Sequence, residues 1–195
     1  MKYLKLAVAT LLSSAAAISS AGTFSFSGNI QYHNDVVYIP FTLDANSTNV
    51  KVWTNSYQNG INFDPITAVW KADGTLIEEN DDNGSIGPGQ TVYDSGLVFA
   101  NLAAGNYIFT VATYNNFANN DQLANGFIYD SQAPISLSTW CQPSSHCGMG
   151  THWSVQLDNV SDAAPASEVP EPGTIGLMLA GLGMAGFLNR RRSAK

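Results

Sequence analysis

Short runs rich in β-branched and aromatic residues, separated by clusters of Asn, Asp, Gly and Ser, fill almost the whole chain between residues 22 and 160. Such runs are typical of β-strands, because these side chains pack well on a pleated sheet, and the polar clusters favour turns. Outside the two ends of the chain, no window has the 3.6-residue period of a helix. The pattern predicts an all-β fold, a single antiparallel β-sandwich. Strands are expected at residues 23–27, 36–43, 50–57, 66–70, 75–79, 91–99, 107–114 and 153–157.

The first 21 residues have the layout of a secretory signal peptide. Lys2 and Lys5 form a positive start, residues 6–18 are apolar, and Ser19-Ser20-Ala21 is a small-x-small cleavage site before Gly22. The domain is therefore expected at residues 22–160, which is enough chain for one hydrophobic core but not two. Residues 161–168 are predicted to form a flexible linker.

The C-terminus, residues 169–195, has three parts. Val169-Pro170-Glu171-Pro172-Gly173 comes first, an uncharged apolar run over residues 174–188 follows, and Arg190-Arg191-Arg192 ends the segment. The two prolines prevent a helix from starting before Gly173. The apolar run has about 15 residues, fewer than the roughly 20 of a full membrane span, which favours transient insertion. The arginines are expected to stay on the cytoplasmic side.

This layout resembles the PEP-CTERM sorting signal of Gram-negative bacteria, with Pro170, Glu171 and Pro172 as its motif. The resemblance implies transient insertion in the inner membrane and removal of the tail by a membrane enzyme, an exosortase. It also implies delivery of the domain to the cell surface or to an exopolysaccharide matrix.

The central part of the chain is strongly acidic. Between Asp35 and Glu171 there are two basic residues, Lys51 and Lys71, and all fifteen carboxylates of the protein, which gives 2 − 15 = −13. Such a surface repels nucleic acid and anionic membranes, and it attracts divalent cations. Nucleic-acid partners are therefore not expected.

Cys141 and Cys147 are the only cysteines, and both lie in the exported part of the chain. In an oxidising compartment the pair is expected to form a disulfide that closes a small loop. A zinc site with the nearby His146 and His152 is the alternative, but the spacing matches no common zinc module.

A calcium site is predicted next to a hairpin. Asp73-Gly74 signals a two-residue turn that pairs Ala72 with Thr75, which brings Asp64 near the acidic run 80–83. Carboxylate and amide oxygens from two strand ends are ligands that Ca²⁺ prefers. A solvated polar turn without a metal is the competing interpretation. The candidate ligands are Asp64, Asn80, Asp81, Asp82 and Asn83.

The same region resembles exported bacterial proteins with a PPC-like domain, the bacterial pre-peptidase C-terminal domain. The resemblance implies a jelly-roll-like β-sandwich, often associated with calcium, that binds or spaces rather than catalyses. It leaves the role of residues 118–160 open. The segments that carry it are residues 63–70, 73–77, 80–82, 93–95, 102–107 and 114–117.

No catalytic motif is present, since the chain lacks a Gly-x-Ser-x-Gly elbow, a His-Glu-x-x-His pair and a phosphate-binding glycine loop. His33 stands alone and is expected at the surface. The sequence therefore predicts a non-enzymatic structural or binding protein. A carbohydrate-binding, lectin-like module is the alternative, with a stacking platform drawn from Trp53, Tyr57, Trp70, Tyr107, Tyr114, Phe117 and Trp153, although most of these rings are expected in the core.

Overall fold

A computed structural model describes residues 21–143 and 146–165. The predicted signal peptide, the sorting motif, its apolar segment and Arg190-Arg191-Arg192 lie outside these residues. The described residues form eleven strands and two short 3₁₀ turns, at Gln58–Gly60 and Leu123–Asn125. The strands are β1 (Gly22–Asn29), β2 (Val37–Leu43), β3 (Ser47–Thr54), β4 (Pro65–Lys71), β5 (Leu76–Asn80), β6 (Gly96–Leu102), β7 (Gly105–Thr113), β8 (Cys141–Gln142), β9 (His146–Cys147), β10 (His152–Val160) and β11 (Asp162–Ala163).

Two antiparallel sheets face each other across one core. The first has the order β1-β10-β3-β6 and the second the order β11-β2-β7-β4-β5. Alternate residues of the strands point inward, as in β2, where Ile39, Phe41 and Leu43 are buried. They meet Val52 and Leu157 from the opposite sheet. The predicted all-β, antiparallel, sandwich-like architecture is confirmed.

The outer face of the second sheet is also covered. Trp70 of β4 is fully buried there, against Phe127, and its indole N–H donates to Thr110 Oγ1 at 3.0 Å. Residues 118–127, which follow the last turn after β7, supply this cover. Because β4 packs on both faces, six consecutive residues of it are buried. Residues 118–127 belong to the segment 118–160, whose role the sequence leaves open, and they therefore have a structural role as this cover.

The β4–β5 hairpin differs from the expected two-residue turn. Lys71, not Ala72, pairs with Thr75, because Gly74 adopts a left-handed conformation (φ 86°) and adds a third residue to the loop. A bulge after Val69 then restores the expected register, in which Ala68 lies opposite Glu79.

Two other expectations were wrong. Residues 162–163, assigned to the linker, form β11 on the edge of the second sheet, where they pair with β2. His33, expected at the surface, is fully buried between the rings of Tyr129 and Trp140. Both of its ring nitrogens have partners, since Nε2 lies 3.0 Å from Gln132 Oε1 and Nδ1 accepts from the Ile135 N–H. His33 is therefore a satisfied core residue.

Among the described residues, no helix has the length and apolar character needed to cross a membrane.

Candidate metal site

Three carboxylates converge at one end of the second sheet. Asp64 immediately precedes β4, and Asp81 and Asp82 immediately follow β5. Since the two strands are antiparallel neighbours, the start of one and the end of the other lie side by side. One carboxylate oxygen from each of the three residues lies within 4.8 Å of the other two.

The oxygens at this site are poorly satisfied. Asp64 is only 8% exposed, and its Oδ2 accepts one hydrogen bond, from Gln142 Nε2 at 3.0 Å. Asp64 Oδ1 and Asp81 Oδ1 are buried without a hydrogen-bond partner. A buried polar atom without a partner costs free energy, so these oxygens favour a proton or a cation.

The electrostatics point in the same direction. Burial raises the pKa of Asp64 to about 7, with a smaller opposing effect of the Gln142 hydrogen bond and a further rise from the neighbouring carboxylates. Burial, together with the charges of Asp82 and Glu79, raises the pKa of Asp81 to about 6. Burial also raises the pKa of Asp82. A bound divalent cation would relieve this repulsion and hold the carboxylates ionised.

The two asparagines of the predicted ligand set have other partners. Asn80 Oδ1 accepts from Ser95 Oγ at 3.3 Å, and Asn83 Oδ1 accepts from Ser85 Oγ at 3.3 Å. The structure therefore brings together the carboxylates of Asp64, Asp81 and Asp82, whereas the side-chain oxygens of Asn80 and Asn83 already accept hydrogen bonds from serines.

A fourth carboxylate, Asp94, organises the neighbouring loops instead. It is fully buried, and its two oxygens accept hydrogen bonds from five donors. These donors are the backbone N–H groups of Ser56, Tyr57 and Thr91 and the hydroxyls of Thr54 and Thr91. The sequence placed Asp94 inside a strand over residues 91–99. The strand prediction was wrong for residues 91–95, because β6 begins at Gly96. Asp94 instead bonds the turn before β6 to the end of β3.

Gln142 is the site residue that sequence reasoning missed. It lies on β8, in the small β8–β9 hairpin where the sulfurs of Cys141 and Cys147 are bonded at 2.02 Å. Sulfurs joined in this way are not available to zinc. The side chain of Gln142 is 5% exposed, and its Oε1 has no hydrogen-bond partner. A glutamine next to a cysteine carries no motif, so only the fold reveals its approach to Asp64.

The seven aromatic residues considered for a sugar platform are mostly internal. Five of them are buried, whereas Tyr114 and Phe117 are half-buried and contact each other edge to face. The most exposed aromatic ring beside the acidic cluster is Tyr93, which is 40% exposed and rests on Tyr57 with ring centroids 5.4 Å apart. Burial raises the pKa of Tyr57, and the charges of Asp64 and Asp82 raise it further. The turn that carries Tyr93 is bonded to the acidic run, since the Asn83 N–H donates to the Asp94 carbonyl at 2.9 Å.

Comparison with known families gives one result, at the C-terminus. Residues 168–192 match the PEP-CTERM protein-sorting motif, which confirms the resemblance of this segment. No curated protein matches the chain significantly. A motif of this kind implies an exported protein that passes through the membrane to the cell surface and is processed by an exosortase.

Proposed function

We propose that the domain is a non-enzymatic, calcium-stabilised β-sandwich of the PPC-like, jelly-roll type, which acts as a structural or binding module on the cell surface or in the exopolysaccharide matrix. The observation that carries the proposal is the convergence of Asp64, Asp81 and Asp82, with two unpartnered buried oxygens. The sorting motif supports the location, and the lack of a catalytic motif supports a non-enzymatic role.

A calcium ion suits this cluster better than a lysine or arginine side chain of the domain does. The only lysine or arginine residues of the domain are Lys51 and Lys71. Lys71 ends β4, while Asp64 precedes its first residue, so about 23 Å of strand separates them. Lys51 lies in β3, opposite Asp158 of β10. Neither lysine is therefore placed to neutralise the three carboxylates, and hard oxygen ligands favour Ca²⁺.

The test is thermal unfolding of the purified protein in calcium and in chelator. At a free concentration 100 times Kd, ligand binding to the native state alone adds about 2.7 kcal/mol. For a domain of this size, we expect Tm to rise by roughly 8 °C. An unchanged Tm would exclude the site.

Substitutions show whether the calcium-dependent rise in Tm comes from this cluster. Asp81→Asn combined with Asp82→Asn is expected to abolish the calcium-dependent rise in Tm, because two of the three charges are lost. Asp121→Asn is the matched control, since Asp121 is exposed and lies outside the cluster. A calcium response that survives the double substitution would place the ion elsewhere.

Sugar binding is the second candidate, and the exposure of Tyr93 favours it, since the Asp94 carbonyl next to this ring accepts from the N–H of Asn83, which follows Asp82. An exposed ring stacks on the apolar face of a sugar, and a calcium ion nearby coordinates hydroxyl groups. Under this alternative, the protein is retained on immobilised exopolysaccharide of its own organism only with calcium. Retention then falls on Tyr93→Ala but not on Tyr32→Ala, which alters a half-buried tyrosine in the loop after β1. Absence of retention would favour a spacer or scaffold.

A further inference from the structure

The β8–β9 hairpin lies against the acidic cluster and is held there at two places. The amide of Gln142 meets the carboxylate of Asp64. Just beyond the hairpin, the Phe63 N–H donates to the Gly150 carbonyl at 3.2 Å, and the Gly150 N–H donates to the Ile61 carbonyl at 2.9 Å. The chain that leads into Asp64 is therefore bonded to the chain that leaves the hairpin.

The fold provides no hydrogen-bond donor for the amide oxygen of Gln142. It is buried and without a partner, although the amide nitrogen of the same side chain donates to Asp64 Oδ2. A half-turn about the last side-chain bond exchanges the positions of the nitrogen and the oxygen, and this torsion is soft. After the exchange, a neutral oxygen ligand would stand beside Asp64 Oδ2, where the donor stands now.

We propose that Gln142 is a ligand of the cation site, through Oε1, and that the Cys141–Cys147 bridge holds it in place. This inference rests on the proposed calcium site and adds a fourth ligand residue from a part of the chain about 60 residues distant from Asp82. Calcium prefers such mixtures of carboxylate and amide oxygens. In the metal-free state, the amide donates to Asp64; in the bound state, it coordinates the ion.

The Cys141–Cys147 disulfide is part of the proposed site, because it joins the two strands of the hairpin that carries Gln142. Cys141 precedes Gln142 directly, and Cys141 pairs with Cys147 while Gln142 pairs with His146. A hairpin with only two residue pairs has little stability of its own. The covalent bond between its strands therefore fixes the position of Gln142 relative to Asp64.

The test is a calorimetric titration of the purified exported protein with CaCl₂. Gln142→Met preserves the side-chain volume and removes both polar atoms, and we expect it to weaken calcium binding about tenfold or more. Gln142→Glu retains an oxygen and lacks the N–H donor, and we expect it to bind calcium at least as tightly as the wild type. Gln156→Ala, at a half-buried glutamine of β10 whose amide donates to Ser25 Oγ, is the control and is expected to bind as the wild type does.

The variants separate the possible roles. If both Gln142→Met and Gln142→Glu bind weakly, Gln142 acts through its donor, and the ligand assignment is wrong. Full affinity in Gln142→Met overturns it as well. Cys141→Ser with Cys147→Ser is expected to weaken binding in the same direction, and full affinity would remove the disulfide from the proposal. Absence of calcium binding in the wild type would instead refute the proposed function.

Discussion

Asp64 and Asp94 are two neighbouring buried carboxylates with opposite surroundings. Asp94 receives five hydrogen bonds, so both of its oxygens are satisfied by the loops around it. Asp64 receives one, and its other oxygen has no partner. Sequence alone could not distinguish them, because the residues next to an aspartate in the chain do not show which hydrogen-bond donors will surround its carboxylate. The difference depends on which backbone N–H groups the fold directs at each carboxylate.

At the scale of this single residue, we predict a pH dependence of the metal-free protein. The pKa of Asp64 is raised from 3.8 to about 7, so the native state holds its proton more tightly than the unfolded state does. The contribution of Asp64 to the free energy of unfolding should therefore be largest below about pH 4, fall as the pH rises towards 7, and level off above it. Asp64→Asn should reduce this fall.

The measurement is urea unfolding of the protein freed of divalent cations, at about pH 5 and about pH 8. Part of the dependence should remain in Asp64→Asn, since the pKa of Asp81 is also raised, to about 6. Asp121→Asn is expected to follow the wild type. Identical pH dependence in the wild type and Asp64→Asn would refute the role of Asp64.

The strand elements themselves were predictable, because alternation of buried and exposed residues is a local property. β2 and β7 begin and end close to where the sequence indicated, and their inward residues are the expected aromatic and branched ones. The strand predicted over residues 91–99 failed in its first half because the Asp94 carboxylate accepts hydrogen bonds from the N–H and the hydroxyl of Thr91 within the same turn. Such bonds compete with sheet pairing, and their partners at β3 are distant in sequence.

An element-scale prediction concerns the start of β6. Gly96 lies so close to β3 that a Cβ atom there would stand 2.6 Å from the Val52 carbonyl oxygen and 2.6 Å from Trp53 Cβ. Gly96→Ala must therefore push β6 away from β3, and we expect a loss of about 2 kcal/mol in the free energy of unfolding. Urea denaturation measures it. Gly22→Ala is the control, since its Cβ would meet no atom closer than the Phe24 ring, at 3.4 Å; an equal loss in both would contradict the steric argument.

At the scale of the whole molecule, the sequence indicated the sandwich but not its outer layer. β4 is buried on both faces, yet the cover supplied by residues 118–127 has no periodic pattern of its own from which it could be predicted. The same reason explains the partial prediction of the metal site. The hairpin brought Asp64 towards Asp81 and Asp82 within one local unit, whereas Gln142 arrives from a distant segment whose position only the complete fold determines.

The acidic domain and the basic C-terminus of the chain lead to a prediction about processing. Three of the eight basic residues are Arg190, Arg191 and Arg192, within the matched sorting motif. Positive charge after an apolar segment retains that end in the cytoplasm, which leaves Pro170-Glu171-Pro172 on the opposite side for the exosortase. We expect the mature exported protein to lack the tail, and replacement of all three arginines by alanine to leave the tail uncleaved.

Intact mass spectrometry of the exported fraction, with sequencing of its C-terminal peptide, measures this directly. Lys51→Ala is the matched control, because it removes positive charge from the domain and not from the tail, and its processing should equal that of the wild type. Wild-type protein recovered with Lys195 still in place would contradict the prediction. Normal cleavage in the triple variant would show that the apolar segment alone orients the chain, so the arginine run would have no part in sorting.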